Sequence, residues 1–230
     1  MEHYGDTKMK ISTLTFLFES APQLFGGALS TLNTWICAAC ISIAMGSLLG
    51  IFSCKKLRIS GISSIIDKIT FVLRGVPFYV QLLIAYFVLP DILGINLSPF
   101  MAGIISLGFC SGAYICQIIR TGINSIPKGQ WEASYVLGYG LFRTVKNIIV
   151  PQMVRNISPA ICGELDQLLK STSLLSAIGF LELTRVGMNI IAREMNPVST
   201  YLIIAVLYLS MSSLLNITSK KIEKKMAYES

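Results

Sequence analysis

The sequence predicts an all-α, polytopic membrane protein with about five transmembrane helices. Apolar residues make up 53% of its 230 residues and charged residues only 13%, a balance that soluble domains of this length rarely have. Long stretches carry no charge, among them 20–54 and 198–219. Because lipid offers no partner to backbone N–H and C=O groups, such stretches must be helical. The alternating pattern of a membrane β-barrel is missing from them.

The first element is a spanning helix at about residues 29–53. Residues 1–23 are expected to lie outside the membrane or along its surface, since charged residues interrupt their short apolar run. Small residues recur within this span at four-residue spacing, which lets a neighbouring helix approach closely: Ser42, Gly46 and Gly50.

A helix break and two further spans follow. In Arg74-Gly75-Val76-Pro77, proline cannot continue a helix and glycine permits a bend, so we expect the chain to turn there. The second span is expected at about residues 76–89 and the third at 98–119. Gly108 and Gly112 give the third span a close-packing face of its own.

The fourth span, at about residues 157–180, is the most polar, and polar side chains inside a helix bundle mark transport pathways. Asp166 and Lys170 are four residues apart with the acid first, the better order for an ion pair. A second stripe of the same helix combines three polar side chains: Glu164, Gln167 and Ser171.

Glu164 is left without an evident partner on its own helix. One interpretation is that it lines a wet cavity and holds the ammonium group or cationic side chain of a substrate. The other is that it caps or pairs with a different helix or a second subunit, and the sequence favours neither.

The fifth span is expected at about residues 198–219, and residues 223–230 are expected to form a cytoplasmic tail.

The distribution of positive charge predicts the orientation. Fourteen of the nineteen Lys and Arg residues follow the first, third or fifth span, and positive residues collect on the cytoplasmic side. We therefore expect a multi-pass protein of a bacterial inner membrane with its N-terminus outside and its C-terminus in the cytoplasm. The same bias accounts for the net charge of +7 without nucleic acid as a partner.

Residues 120–155 form a polar, helix-prone segment on the predicted cytoplasmic side. Lys128–Leu137 can form one short helix and Leu141–Val150 a second, with Gly138-Tyr139-Gly140 breaking the chain between them. Such a corner could dock into a groove of a soluble partner. The alternative is an ordinary amphipathic loop at the membrane surface.

The residue order in this segment resembles the cytoplasmic coupling motif of ABC importer permeases: Glu-Ala-Ala, a Gly four residues on, then Ile-x-Leu-Pro. Ser134 replaces the second Ala of the motif and Val150 its Leu. The matching positions, to which the resemblance assigns coupling to an ATPase, are Glu132, Ala133, Ser134, Gly138, Ile148 and Pro151.

Other strings resemble the amino-acid branch of these permeases, and together they cover about residues 24–222. They are Arg74-Gly75-Val76-Pro77 with Gln81, Ser111-Gly112-Ala113-Tyr114, Leu169-Lys170-Ser171-Thr172-Ser173-Leu174 and Glu182-Leu183-Thr184-Arg185. The resemblance implies a type I ABC importer transmembrane domain at 24–222, whose coupling segment is residues 120–155.

The resemblance also implies partners: ABC ATPase subunits, a second permease subunit that is identical or related, an extracytoplasmic solute-binding protein and the membrane lipid. ATP with Mg²⁺ is expected on the ATPase, because this chain has no G-x-x-x-x-G-K-[ST] string. No cofactor or metal is expected in the chain itself, since Cys37 and Cys40 lie inside a span without a nearby histidine. The chain is thus expected to be a transport subunit and not an enzyme.

The expected substrate is a polar amino acid delivered by the solute-binding protein. Gln117 stands where related permeases often carry an acid, so a cationic substrate is not inferred. Two alternatives remain: the same architecture could import a short peptide or an opine, or the chain could be an ion-gradient-driven transporter, although the internal repeats usual in that class are missing. The candidate pathway residues are Gln81, Ser111, Tyr114, Gln117, Glu164, Gln167 and Ser171.

Overall fold

The computed structural model describes the backbone of residues 2–57 and 60–228, and the side chains of 19–57 and 61–225. The regular structure of these residues is helical throughout, as predicted. We number eight helices: α1 Glu2–Ser53, α2 Ser60–Gly75, α3 Phe78–Leu93, α4 Pro99–Asn124, α5 Lys128–Val136, α6 Leu141–Ile178, α7 Leu183–Glu194 and α8 Pro197–Tyr228.

The described helices provide three to five candidate membrane spans. Glu19–Ser53, Pro99–Asn124 and Pro197–Lys225 are each long and apolar enough to cross a bilayer alone. Helices α2 and α3 qualify together but meet at 102°, and α6 and α7 qualify together with a bend of 46°. The helical bounds are wider than the spans expected from sequence, because helix continues beyond the apolar core at both α1 and α6.

Helices α1 and α4 pack against each other through the small residues that the sequence singled out. A Cβ atom added at Gly46 would come within 2.8 Å of the Gly112 carbonyl oxygen, and one at Gly50 within 2.8 Å of the Cys116 carbonyl oxygen. From the α4 side, a Cβ at Gly108 would meet Ile41 at 2.6 Å. The two backbones can approach this closely only because these side chains are absent.

Two π-helical turns explain how prolines are accommodated inside α3 and α6. The turns, Ile84–Val88 and Val145–Ile149, each end two residues before a proline, Pro90 and Pro151. The first N–H after each turn bonds the carbonyl five residues back, and this wider turn relieves the crowding that a proline ring causes. Helix α6 therefore runs unbroken through Pro151, and the expectation of a separate short helix ending just before it is wrong.

Hydrogen bonds at the start of α7, around the buried carboxyl group of Glu182, join three helices. It caps α7 by accepting hydrogen bonds from the backbone N–H groups of Thr184 and Arg185, both at 2.8 Å. The Tyr208 hydroxyl on α8 donates to the same carboxyl group at 2.9 Å, and the first N–H of α7 donates to the Thr31 hydroxyl on α1 at 3.1 Å. The first N–H groups of a helix have no acceptor within the helix, and here the Glu182 carboxylate provides one. This gives the Glu-Leu-Thr-Arg string a structural explanation.

Candidate functional site

A polar cavity of about 460 Å³ lies between the α2–α3 break, α4 and α6. Its volume is in the range of sites for small ligands. Helix register explains its lining: residues three or four apart on α4 and on α6 present their side chains to the same side. Five of the seven pathway residues predicted from sequence line this cavity: Ser111, Tyr114, Glu164, Gln167 and Ser171.

The polar cavity combines one positive and one negative side chain. Arg74 enters from the end of α2 and Glu164 from α6. Among the described side chains neither forms an ion pair; Arg74 donates instead to the Thr70 carbonyl oxygen at 3.3 Å. The Ser111 hydroxyl lies near the Glu164 carboxyl group but makes no hydrogen bond of standard geometry. Both charges thus remain available to a ligand that carries charges of its own.

The neighbouring charges on α6 neutralise each other, as the sequence predicted. Lys170 Nζ lies 2.5 Å from Asp166 Oδ2, and the Ser212 hydroxyl on α8 donates to the other oxygen of Asp166. The hydrogen bond from Ser212 ties α6 to α8, and the ion pair lies outside the lining of the polar cavity. The cavity itself therefore keeps one charge of each sign.

Gln81 is placed elsewhere than expected: it does not line the polar cavity but supports the α2–α3 break. Its amide nitrogen donates to the carbonyl oxygens of Leu73 and Val76, each at 2.7 Å. The Leu73 carbonyl would bond the N–H four residues on in a continuous helix, but that residue is Pro77, which has none. Gln81 follows this proline by four residues, and its side chain supplies the missing donor.

Replacing Gln81 by Leu should lower the stability of the protein, because the carbonyl oxygens of Leu73 and Val76 would lose the amide donor at the bend. The expected cost is about 2 kcal/mol, measured as a lower midpoint of thermal unfolding in detergent. Gln117→Leu is the matched control, since the single hydrogen bond of the Gln117 amide within the described part of the chain is a long one, 3.5 Å to Thr121. Equal midpoints for the two variants would contradict this role.

Gln117 also lies outside the polar cavity, in a second cavity of about 310 Å³ between α4 and α6. The side chains of Thr121, Ser125 and Asn156 line it as well. Relative to Tyr114, Gln117 is nearly one helical turn further towards the C-terminal end of α4. The two cavities therefore follow each other along the same pair of helices. Of the seven predicted pathway residues, five line the first cavity and Gln117 lines the second, whereas Gln81 lines neither.

The glycine corner forms where the sequence predicted it. Helix α5 ends at Val136, Gly138 has a φ of +76°, and α6 begins at Leu141. Such a φ favours glycine. Trp131 anchors α5 with only 2% of its surface exposed, within a cluster formed by the ends of α1, α4 and α6. The corner is thus fixed to the helices that line both cavities.

The predicted coupling residues divide into exposed and buried groups. Glu132 and Ala133 are exposed on α5, and Pro151 is exposed on α6. Ser134 was expected to lie on the contact surface, but it is fully buried. Its hydroxyl donates to the Trp131 carbonyl oxygen at 2.7 Å and accepts from the Thr144 hydroxyl at 3.0 Å. Ser134 therefore holds α5 against α6. Ile148 is half-buried against the same core.

Sequence reasoning missed an exposed apolar patch on both sides of the corner. Val136 is 87% exposed and Phe142 76%. Their position beside the Gly138 turn was the available signal. The side chains that form this corner patch are Tyr135, Val136, Leu137, Leu141 and Phe142.

Sequence comparisons match most of the chain to a known family and to named relatives. The sequence profile of the family described as "Binding-protein-dependent transport system inner membrane component" matches residues 42–228. The arginine transport system permease protein ArtQ of Bacillus subtilis is 34% identical over 89% of this chain and 93% of its own. The glutamine transport system permease protein GlnP of Escherichia coli is 32% identical over 91% of this chain and 95% of its own.

Solved structures show the same architecture. A crystal structure described as an amino acid ABC transporter with histidines matches with a TM-score of 0.84 and 31% identity, over 91% of this chain and 96% of its own. An inward-facing conformation of the MetNI methionine ABC transporter matches with a TM-score of 0.76 over 89% of this chain and 96% of its own. At 18% identity, that second likeness concerns the fold alone.

Proposed function

Because the chain belongs to the family of inner membrane components of binding-protein-dependent transport systems, we propose that it passes a polar amino acid with an uncharged side chain through the membrane. Family membership confirms the predicted importer resemblance, the predicted transmembrane-domain fold and a role as transport subunit rather than enzyme. We also propose a substrate, a set of partner subunits and an orientation in the membrane.

The polar cavity is the observation that carries the proposal. It offers Arg74 to a carboxylate and Glu164 to an ammonium group, the two charges of an amino acid backbone. The remaining polar groups, Gln167, Ser171 and Tyr114, are neutral and suit a side chain that forms hydrogen bonds. A cationic or acidic side chain would find no opposite charge left over. L-glutamine, which the name of one relative carries, has the required chemistry and is the substrate to test.

An ABC ATPase would dock on the cytoplasmic side against the corner patch and the exposed Glu132 and Ala133. The ATPase would be a separate subunit, since the chain has no nucleotide-binding string of its own. The proposed assembly adds a second permease subunit and an extracytoplasmic solute-binding protein. ATP with Mg²⁺ would bind the ATPase. The excess of basic residues near the corner and the tail supports an outer N-terminus and a cytoplasmic C-terminus.

The test is uptake of radiolabelled L-glutamine into vesicles that contain the chain together with its partner ATPase and solute-binding protein. We expect uptake to require ATP on the ATPase side and to continue when a protonophore collapses the ion gradient. Uptake that stops with the protonophore and continues without ATP would instead identify an ion-gradient-driven transporter.

Competition in the same assay tests the substrate class. An excess of unlabelled glutamine should abolish uptake of the label, whereas arginine, aspartate, a dipeptide and an opine should compete weakly. Strong competition by arginine would contradict the proposed preference for an uncharged side chain. Strong competition by the dipeptide or the opine would favour the corresponding alternative substrate.

A further inference from the structure

Helix α8 has one face that is turned away from the rest of the protein. Only 11% of its most apolar stretch is buried. The exposed face follows steps of three and four residues along the helix, which place side chains in one line. Its apolar members are Leu202, Val206, Leu209 and Ile217.

The opposite face of α8 packs inward. Thr200, Ile204, Ser212 and Ser219 are buried there, and Ser212 reaches Asp166 on α6. The orientation of the helix about its own axis is therefore set by these contacts. In a membrane, the exposed apolar line can only face lipid or another hydrophobic surface.

The line of exposed side chains continues into lysines. Ile217 is followed at three residues by Lys220 and, four residues later, by Lys224, so both lie directly in line with the apolar face. Lys221 and Lys225 lie beside them, and all four fall within an arc of about 140°. All four are exposed. Glu223 is half-buried and lies about 60° from Lys220, on the side away from the other three lysines, so the four positive charges still outnumber it along this arc.

Spacing places this lysine stripe (Lys220, Lys221, Lys224 and Lys225) at headgroup depth. From Pro197 to Ser219 the helix rises about 34 Å, close to the thickness of a bilayer's hydrocarbon core. The four lysines occupy the next turn and a half. The stripe continues the exposed apolar line of α8, whereas the proposed ATPase contact is the corner patch between α5 and α6.

We propose that the lysine stripe of α8 binds the phosphate groups of anionic phospholipids, whose acyl chains lie along the apolar face above it. Lysines just beyond a transmembrane helix attract anionic headgroups, each by about 1 kcal/mol. The long side chains can reach the phosphates while their methylene groups stay beside the acyl chains. The chain would thus carry an ordered shell of anionic lipid on this side, whatever solute it moves.

The test compares spin-labelled phosphatidylglycerol with spin-labelled phosphatidylcholine bound to the purified chain in phosphatidylcholine vesicles. The protein should prefer the anionic probe, and added salt should weaken that preference. In a double variant, Lys220→Gln with Lys224→Gln, the preference should fall at least about fivefold. The corresponding Arg pair keeps the charge and should retain the preference.

A second pair serves as the matched control. Lys128→Gln with Lys146→Gln removes the same charge from the coupling segment and should leave the lipid preference unchanged. An unchanged preference in the Lys220 and Lys224 variant would overturn the proposal. So would loss of ATPase co-purification by that variant with the lipid preference intact, because the stripe would then be a protein contact.

Discussion

Replacing Glu164 by Gln is expected to reduce ATP-driven uptake of glutamine about 10- to 100-fold. Hydrogen bonds to a charged group contribute about 1.5–3 kcal/mol, and each 1.4 kcal/mol is a factor of ten in binding. The amide keeps the size of the side chain, so the shape of the polar cavity is preserved. ATPase association should not change, because the lining of the cavity includes none of the exposed residues of the corner. Uptake is measured as a function of glutamine concentration.

Two further variants, Arg74→Gln and the double variant with Glu164→Gln, test whether these two charges bind the substrate or only neutralise each other. If the two charges hold opposite ends of one substrate, Arg74→Gln should also impair uptake and the double variant should be worse than either. If they only neutralise each other, removing both should restore what one removal costs. Recovery in the double variant would thus disprove the proposed site. Glu194→Gln is the control, since Glu194 is exposed and, among the described side chains, pairs with the adjacent Arg193 alone.

The parts of this site that were predictable from sequence depend on local rules. The α6 stripe of Glu164, Gln167 and Ser171 follows from helix period, and all three residues line the polar cavity. The pair of Asp166 and Lys170 follows from the spacing of four and is present at 2.5 Å. Such features need only the geometry of one helix, and that geometry is fixed once the helix is recognised.

Arg74 was missed as a cavity residue because its position depends on a bend of 102°. The Gly-Val-Pro sequence predicted that the helix breaks but not the direction that the chain takes afterwards. Gln81 was misplaced for the related reason that a glutamine in a span suggests a pathway. The four-residue interval from Pro77 to Gln81 was the overlooked signal, since a donor is needed at that position.

The coupling segment shows the same division. Gly138 was recognised because a corner between two helix-forming stretches needs a residue that tolerates a positive φ. The burial of Ser134 was not predictable, because it depends on Thr144 crossing back from α6 to form the 3.0 Å hydrogen bond. Small side chains suit both a partner's groove and a tight contact within one chain, and sequence alone does not distinguish the two.

Replacing Glu132 by Arg is expected to abolish association with the ATPase while leaving the protein folded and inserted. Glu132 is exposed and forms no ion pair among the described side chains, so its loss removes nothing from the single chain. At the proposed interface, reversal of its charge would leave the partner's group facing a like charge, and losses of 2–5 kcal/mol are usual for such changes. Co-purification with the ATPase should fall at least about thirtyfold.

Phe142→Asp extends the test to the apolar part of the interface. An exposed aromatic side chain that docks in a pocket often dominates binding, so this variant should lose the ATPase to a similar degree. Glu194→Arg provides a charge-reversal control far along the chain from the corner and should co-purify normally. Normal co-purification of both Glu132→Arg and Phe142→Asp would place the ATPase contact elsewhere, and the exposed corner would then be an interfacial loop on the membrane surface.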